Sequence, residues 1–238
     1  FLLRRRPCSS VFPYSPFFRS EFAHNSKCLK ELYLEGRQDS HDYFNFSEEA
    51  LEHLLKIPTL EKVKMAMLKT DFFPKGPSNI KELDVDCWLN DIDGYYSTDL
   101  SDNFNESFTN NLGTHTNLEK LNMSVNMYPK EALKLVIVNC VNLQYINSLY
   151  VNIDTLISLL RLPNMKGISS QVISEKDDFE KLSALEENFP NIEYLEISYV
   201  VLKLEKNENY NIISELIKMK CLNLKIYKFN YFEDSLIY

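Results

Sequence analysis

Glycine is scarce in this chain, at five among 238 residues. Neither G-x-G-x-x-G nor G-x-x-x-x-G-K-[ST] can be found, so the backbone has no sequence signature for cradling a phosphate, and the G-x-S-x-G elbow of a hydrolase is missing too. The five cysteines contain no C-x-x-C pair and are odd in number, which argues against a structural zinc and against a disulfide framework. Reduced thiols in a cytoplasmic or nuclear protein are the simpler expectation. The four histidines, at 24, 41, 53 and 115, are dispersed outside any H-E-x-x-H, and each reads as a surface or loop residue. Basic excess is missing as well. A formal charge of -8 and no basic stripe exclude nucleic acid and an anionic membrane as the main partner. No apolar run approaches the ~20 residues of a spanning helix; "ALKLVIVNCV" is the longest apolar piece.

What the chain does have is a repeat. At Phe189 it reads "FPNIEYLEISYV", at Thr116 "TNLEKLNMSV" and at Ser78 "SNIKELDVDC", each with apolar residues at relative positions 1, 4 and 6 behind an Asn. Eight candidate units align on this grammar, most of them with Asn before the first apolar residue, which is Leu29, Leu60, Ile80, Leu118, Leu143, Met165, Ile192 or Leu224. Their spacing, from 20 (Leu60 to Ile80) to 38 (Ile80 to Leu118), surrounds the ~20 to 29 residues of a leucine-rich repeat with insertions. Between the units lie segments with 3-to-4 apolar spacing. "SEEALEHLLK" from Ser47 has a Ser N-cap and early acids, and "PKEALKLVIVNC" from Pro129 has Pro at its start. "IDTLISLLRL" from Ile153, "EKDDFEKLSALEENF" from Glu175 and "NIISELIKMK" from Asn211 complete the set. Strand cores alternating with helices predict an α/β fold, a right-handed leucine-rich-repeat solenoid of parallel strands on one side and helices on the other. Asn before position 1 is expected to cap the helix-to-strand junction through its tolerance of left-handed angles, with Cys28, Cys140 and Cys221 as small buried fillers beside it.

This grammar, in residues such as Leu118, Leu121 and Met123, or Ile192, Leu195 and Ile197, resembles the ribonuclease-inhibitor-like superfamily of leucine-rich repeats, and in particular the irregular arrays of F-box proteins. That family usually places Asn or Cys three positions after the last apolar residue; only Asn126 does so here, which favours the degenerate intracellular kind over a regular array with an asparagine ladder. The resemblance implies the substrate-recognition part of an F-box-like ubiquitin ligase subunit, with cullin-RING ubiquitin ligase components among its partners. An F-box would add a helical segment of ~40 to 50 residues before the repeats. Residues 1–27, read as an N-terminal extension or cap, are fewer than that; the repeat domain is expected over 28–231 and a tail over 232–238. Two readings of the start stay open. Its arginines, serines and lack of acids match an organelle transit peptide, while Pro7, Pro13 and Pro16 among aromatics suit an extended end covering a core. The alternative function is accordingly a structural scaffold subunit of a larger, organellar assembly.

Chemistry finds no constellation to occupy. "DVDCWLNDIDG", Asp84 to Gly94, holds only a remnant of a calcium loop, because its acids do not alternate ahead of a Gly and a distal Glu. No enzyme, no cofactor, no metal and no small-molecule substrate are therefore expected. The expected function lies on the surface. Residues alternating with the apolar ones face away from the core. They are Glu31, Tyr33, Glu35; Lys62, Lys64, Ala66; Glu82, Asp84, Asp86; Lys120, Asn122, Ser124; Tyr145, Asn147, Leu149; Gly167, Ser169, Gln171; Tyr194, Glu196, Ser198; and Ile226, Lys228, Asn230. Aromatic anchors and charges are the side chains that fix protein interfaces. The candidate partner-binding residues are therefore Tyr33, Lys62, Lys64, Asp84, Asp86, Trp88, Tyr145, Tyr194 and Glu196.

Overall fold

The structure, a computed structural model, describes residues 28–35, 48–66, 72–86, 102–123, 130–173, 177–202 and 210–234. Each sequence unit forms one strand: β1 (Glu31–Glu35), β2 (Lys62–Ala66), β3 (Glu82–Asp86), β4 (Lys120–Met123), β5 (Tyr145–Val151), β6 (Gly167–Ile173), β7 (Tyr194–Leu202) and β8 (Ile226–Asp234). The strands build one mixed α/β unit around an eight-stranded sheet, parallel throughout, whose spatial order is the order of the chain. Five α-helical segments expected between units are α1 (Glu48–Leu55), α3 (Lys130–Asn139), α4 (Ile153–Leu160), α5 (Asp178–Ser183) and α6 (Tyr210–Lys220). A further helix, α2 (Asp102–Asn111), was not legible in its polar sequence "DNFNESFTNN" and continues into a single tight turn at Leu112–Thr114.

Alternation along each strand sets the core. Leu32 and Leu34, Val63 and Met65, Leu83 and Val85, Leu121 and Met123, and Leu195 and Ile197 are all buried, together with the first apolar residues Leu60, Ile80, Leu118, Leu143, Met165 and Ile192. The helices bring matching faces, for example Leu51, Leu54 and Leu55 of α1 and Ile153, Leu156, Leu159 and Leu160 of α4. In β5 and β6 the third inward position is serine, and Ser170 answers for its burial by donating its hydroxyl to the Ser148 carbonyl at 2.9 Å. Apart from Ala66 and Gly167, which are buried, the described side chains of the opposite row are half-buried or exposed, so a parallel sheet, ordinarily covered on both faces, here keeps one face open.

The turn entering each strand repeats closely. The N–H groups of Leu60, Leu118, Leu143 and Met165 donate to carbonyls three residues earlier, on Ile57, His115, Cys140 and Leu162, at 3.0, 3.2, 3.0 and 3.2 Å. Pro58 and Pro163 occupy the second position of such turns, where a fixed φ suits them. The Asn before position 1 acts through its side chain. Asn79, Asn117, Asn164, Asn191 and Asn223 each donate their amide to the neighbouring unit's turn, onto the carbonyls of Pro58, Ser78, Val141, Pro163 and Pro190, at 2.7, 2.8, 2.9, 2.9 and 2.8 Å. An asparagine ladder thus exists at the end where the chain enters each strand. Every rung satisfies a carbonyl that the strand pairing cannot reach.

Several expectations are corrected. Cys140 and Cys221 are buried, and burial pushes their thiols up to about 11 and about 12, which keeps them protonated and inert. Cys28, expected to be buried with them, is exposed. His53 is exposed on α1, whereas His115 is wholly buried, because the connection between β2 and β3 packs Phe73, Pro74 and Ser78 against it. Its Nε2 donates to the Pro74 carbonyl at 3.0 Å and Nδ1 accepts from the Ser78 hydroxyl at 2.7 Å. The Phe73 ring stands edge-on to it at 5.6 Å, and to Phe108 of α2 at 5.0 Å. Gly76 belongs to the same loop: its N–H donates to the Thr114 hydroxyl at 2.7 Å, and a Cβ there would lie 2.3 Å from the Thr114 carbonyl oxygen. The helix drawn from Glu175 is shorter than its pattern, and α4 gains an unforeseen cap, with the Asn152 side chain accepting from the Thr155 N–H at 3.0 Å. Strand β8 pairs with β7 as far as Leu202 with Asp234, past the boundary drawn at 231. The segments 1–27 and 235–238, Ser47 and most of the acidic stretch ending at Gly94 lie outside the described residues.

Candidate binding face

The register of the sheet lines the outward residues up in columns. The first column reads Glu31, Lys62, Glu82, Lys120, Tyr145, Gly167, Tyr194, Ile226, and the second Tyr33, Lys64, Asp84, Asn122, Asn147, Ser169, Glu196, Lys228. In-register pairing of parallel strands makes each residue the lateral neighbour of its counterpart, so charges that alternate from unit to unit become ion pairs. Lys62 meets Glu82 at 3.1 Å, Lys120 meets the same carboxylate at 2.7 Å, and Lys64 meets Asp84 at 3.1 Å. Asn122 extends the second column by donating to Asp84 at 2.8 Å. The Lys120 bond, ahead of the contribution from Lys62, holds the Glu82 carboxyl below the usual range despite its partial burial; the Glu82 bond raises Lys62 in turn.

Across β5 to β8 the character changes. Tyr194 donates its hydroxyl to the Glu196 carboxylate two residues on, which lowers Glu196 and raises the phenol to about 12. Lys228 stands 3.5 Å from the same carboxylate. Between Tyr145 and Tyr194 the column has only Gly167, and the Tyr145 ring leans into the vacated space: a Cβ on residue 167 would lie 2.7 Å from its Cδ1. Tyr145, Asn147, Gly167, Ser169 and Tyr194, with the charged residues on either flank, line a shallow cleft of about 470 Å³ on the open face.

The predicted residues divide accordingly. Lys62, Asp84, Tyr145, Tyr194 and Glu196 line this cleft. Lys64 is beside it through its pair with Asp84, and Tyr33 stands at the β1 end, its hydroxyl donating to Glu31 at 3.2 Å. Asp86 ends β3 opposite Ala66, and Trp88 lies outside the described residues. Glu82, Lys120, Asn122, Asn147, Gly167 and Ser169 also line the cleft and were absent from the short set. The alternation of Glu and Lys between successive units was the signal for the first two. Two outward assignments change: Ala66 is buried, and β5 slips by one residue after Ser148, so that Tyr150 rather than Leu149 pairs with Gln171. A bulge of this kind transfers the next side chain to the other face.

Among the described residues no group of three or more His, Cys, Asp or Glu is placed to hold a metal ion, and no helix is long and apolar enough to cross a membrane. No family model, curated protein or solved structure matches the chain.

Proposed function

We propose that this chain is a non-enzymatic recognition module, a leucine-rich-repeat solenoid whose open sheet face binds a protein partner. The observation that carries this reading is the open face itself. A parallel sheet that buries most of one row of side chains, with Tyr227 and Phe229 of β8 half-buried, leaves the other row, with its tyrosines, amides and paired charges, facing outward across a shallow cleft. The specific role implied by the F-box resemblance is substrate recognition within a ubiquitin ligase, through cullin-RING components; it rests on the style of the repeats alone.

A structural scaffold subunit is the second reading, and a different surface favours it. Val138 and Val141 at the end of α3, and Met219 and Leu222 at the end of α6, are 70%, 52%, 68% and 62% exposed, apolar side chains of the sort that a permanent assembly covers. Affinity capture from cell extract tests both readings, using the intact chain beside a Tyr145→Ala/Tyr194→Ala/Glu196→Ala variant whose folding is checked by circular dichroism. A partner lost only from the variant supports recognition by the open face, and co-purified cullin-RING components support the ligase role. A partner retained by the folded variant overturns the open-face assignment, and its loss on Val138→Asp/Met219→Asp substitution would favour the scaffold.

A further inference from the structure

The two charged ladders stop at different strands, and the gap between them has a polarity. In the first column Lys62 is flanked by Glu31 and Glu82, but Lys120 has an acid on one side only and Tyr145 on the other. In the second column Glu196 has Lys228 on one side and Ser169 on the other. From β4 to β7 the open face is therefore an uncharged window bordered by a cation, Lys120, and an anion, Glu196. Neither is spent on its own border. The Lys120 side chain is 52% exposed with one acceptor at 2.7 Å, and a carboxylate such as Glu196 has about four acceptor positions for its Tyr194, Ser169 and Lys228 contacts.

Resting on the open face being a protein-binding surface, we propose that its occupant is an extended polypeptide segment crossing β4 to β7, with an acidic side chain over Lys120 and a basic one over Glu196. The spacing follows from the sheet. Three inter-strand steps of about 4.8 Å make about 14 Å. Glu196 lies two residues, about 7 Å, further along the strand than Tyr194, the register partner of Lys120, so the diagonal is about 16 Å, which an extended chain covers in about five residues at about 3.4 Å each. The intervening residues lie against Tyr145, Gly167 and Tyr194, where aromatic rings offer apolar contact at low entropic cost. An extended segment also leaves its own peptide groups needing partners; exposed Asn147 supplies an amide at the centre of the window, and half-buried Ser169, whose hydroxyl donates to Glu196, keeps an acceptor position beside it. A helix satisfies its backbone internally and has no use for them. Opposite charges at the two borders fix the orientation of the segment, because the reversed peptide would put like charges together at both.

The test is a selection of random displayed peptides on the full chain, followed by binding measurements on the enriched sequences. The expected result is enrichment of an acidic and a basic residue about five positions apart in a consistent order. Binding should weaken about tenfold with Lys120→Glu, and a fresh selection on that variant should replace the acidic residue by a basic one. Asn147→Arg, a substitution at an exposed central position, separates the two levels of the idea. Peptides lost with Asn147→Arg but carrying no charge pattern would overturn the polarity proposal and leave the open face as the binding site. Peptides that bind the folded Asn147→Arg protein unchanged, or no enrichment at all, overturn both.

Discussion

The two halves of the sheet share one side and differ on the other. Strands β1 to β4 have 5, 5, 5 and 4 residues, and β5 to β8 have 7, 7, 9 and 9. On the inward side the buried Leu32, Val63, Leu83 and Leu121 continue into Ile146, Ile168 and Leu195, and the row ends at half-buried Tyr227; the adjacent inward row differs only in the serines Ser148 and Ser170. On the outward side Glu31, Lys62, Glu82 and Lys120 give way to Tyr145, Gly167, Tyr194 and Ile226. Burial constrains only the inward row. The outward row is free to be a self-neutralising ladder in one half and an aromatic, largely neutral surface in the other, and a recognition surface can be built there without disturbing the core.

If that is right, the halves should respond alike to core damage. Leu121→Ala in β4 and Leu195→Ala in β7 each remove a fully packed side chain, and each should cost about 2 to 5 kcal/mol in urea unfolding. A large cost in one and a negligible cost in the other would break the comparison. The asparagine ladder should be indifferent to the halves as well: Asn117→Ala and Asn191→Ala each remove one amide from a turn carbonyl and should cost about 0.5 to 1.5 kcal/mol.

The open faces should then differ. Gly167→Ala collides with the Tyr145 ring, and the expected loss of about 1 kcal/mol should vanish when Tyr145→Ala is present, a coupling measurable in a double-mutant cycle. In the charged half, Glu82→Gln should change stability by less than about 1 kcal/mol, because the Lys62–Glu82–Lys120 cluster is largely solvated, and the change should shrink further in high salt.

Acid separates a third contribution. Burial depresses His115 below its ordinary 6.5, so the unfolded chain takes up the proton first. Stability from this site is complete above 6.5 and falls as the pH drops towards the lower folded value. Glu82 and Glu196 are depressed from 4.5, so their contribution is present above 4.5 and is lost only at lower pH. Denaturation midpoints measured across pH should decline in these two windows, the upper one disappearing in His115→Gln.

Much of this was legible because the pattern with apolar residues at 1, 4 and 6 is a direct image of burial: it located the eight strands among the described residues and most of their inward positions, the exceptions being Ala66 and β5 beyond Ser148. Helix α2 was missed because its ten residues, "DNFNESFTNN", contain only two apolar side chains, Phe104 and Phe108, too few for a periodicity. His115 was misjudged because its burial depends on Phe73, Pro74 and Ser78, which lie 37 to 42 positions away. Leu149 was set in the outward row in place of Tyr150 because nothing local marks the slip after Ser148.

The sequence by itself determined the units, their order and which side chains face the core, since these follow from local periodicity and the free energy of burying apolar surface. Only the tertiary structure decided which outward residues are neighbours. Lateral register converts the separate letters Lys62, Glu82 and Lys120 into one ion cluster, and Tyr145, Gly167 and Tyr194 into one window. That register is set by hydrogen bonds between strands 20 to 38 residues apart (Lys62 to Glu82, Glu82 to Lys120), a distance at which no local pattern carries information.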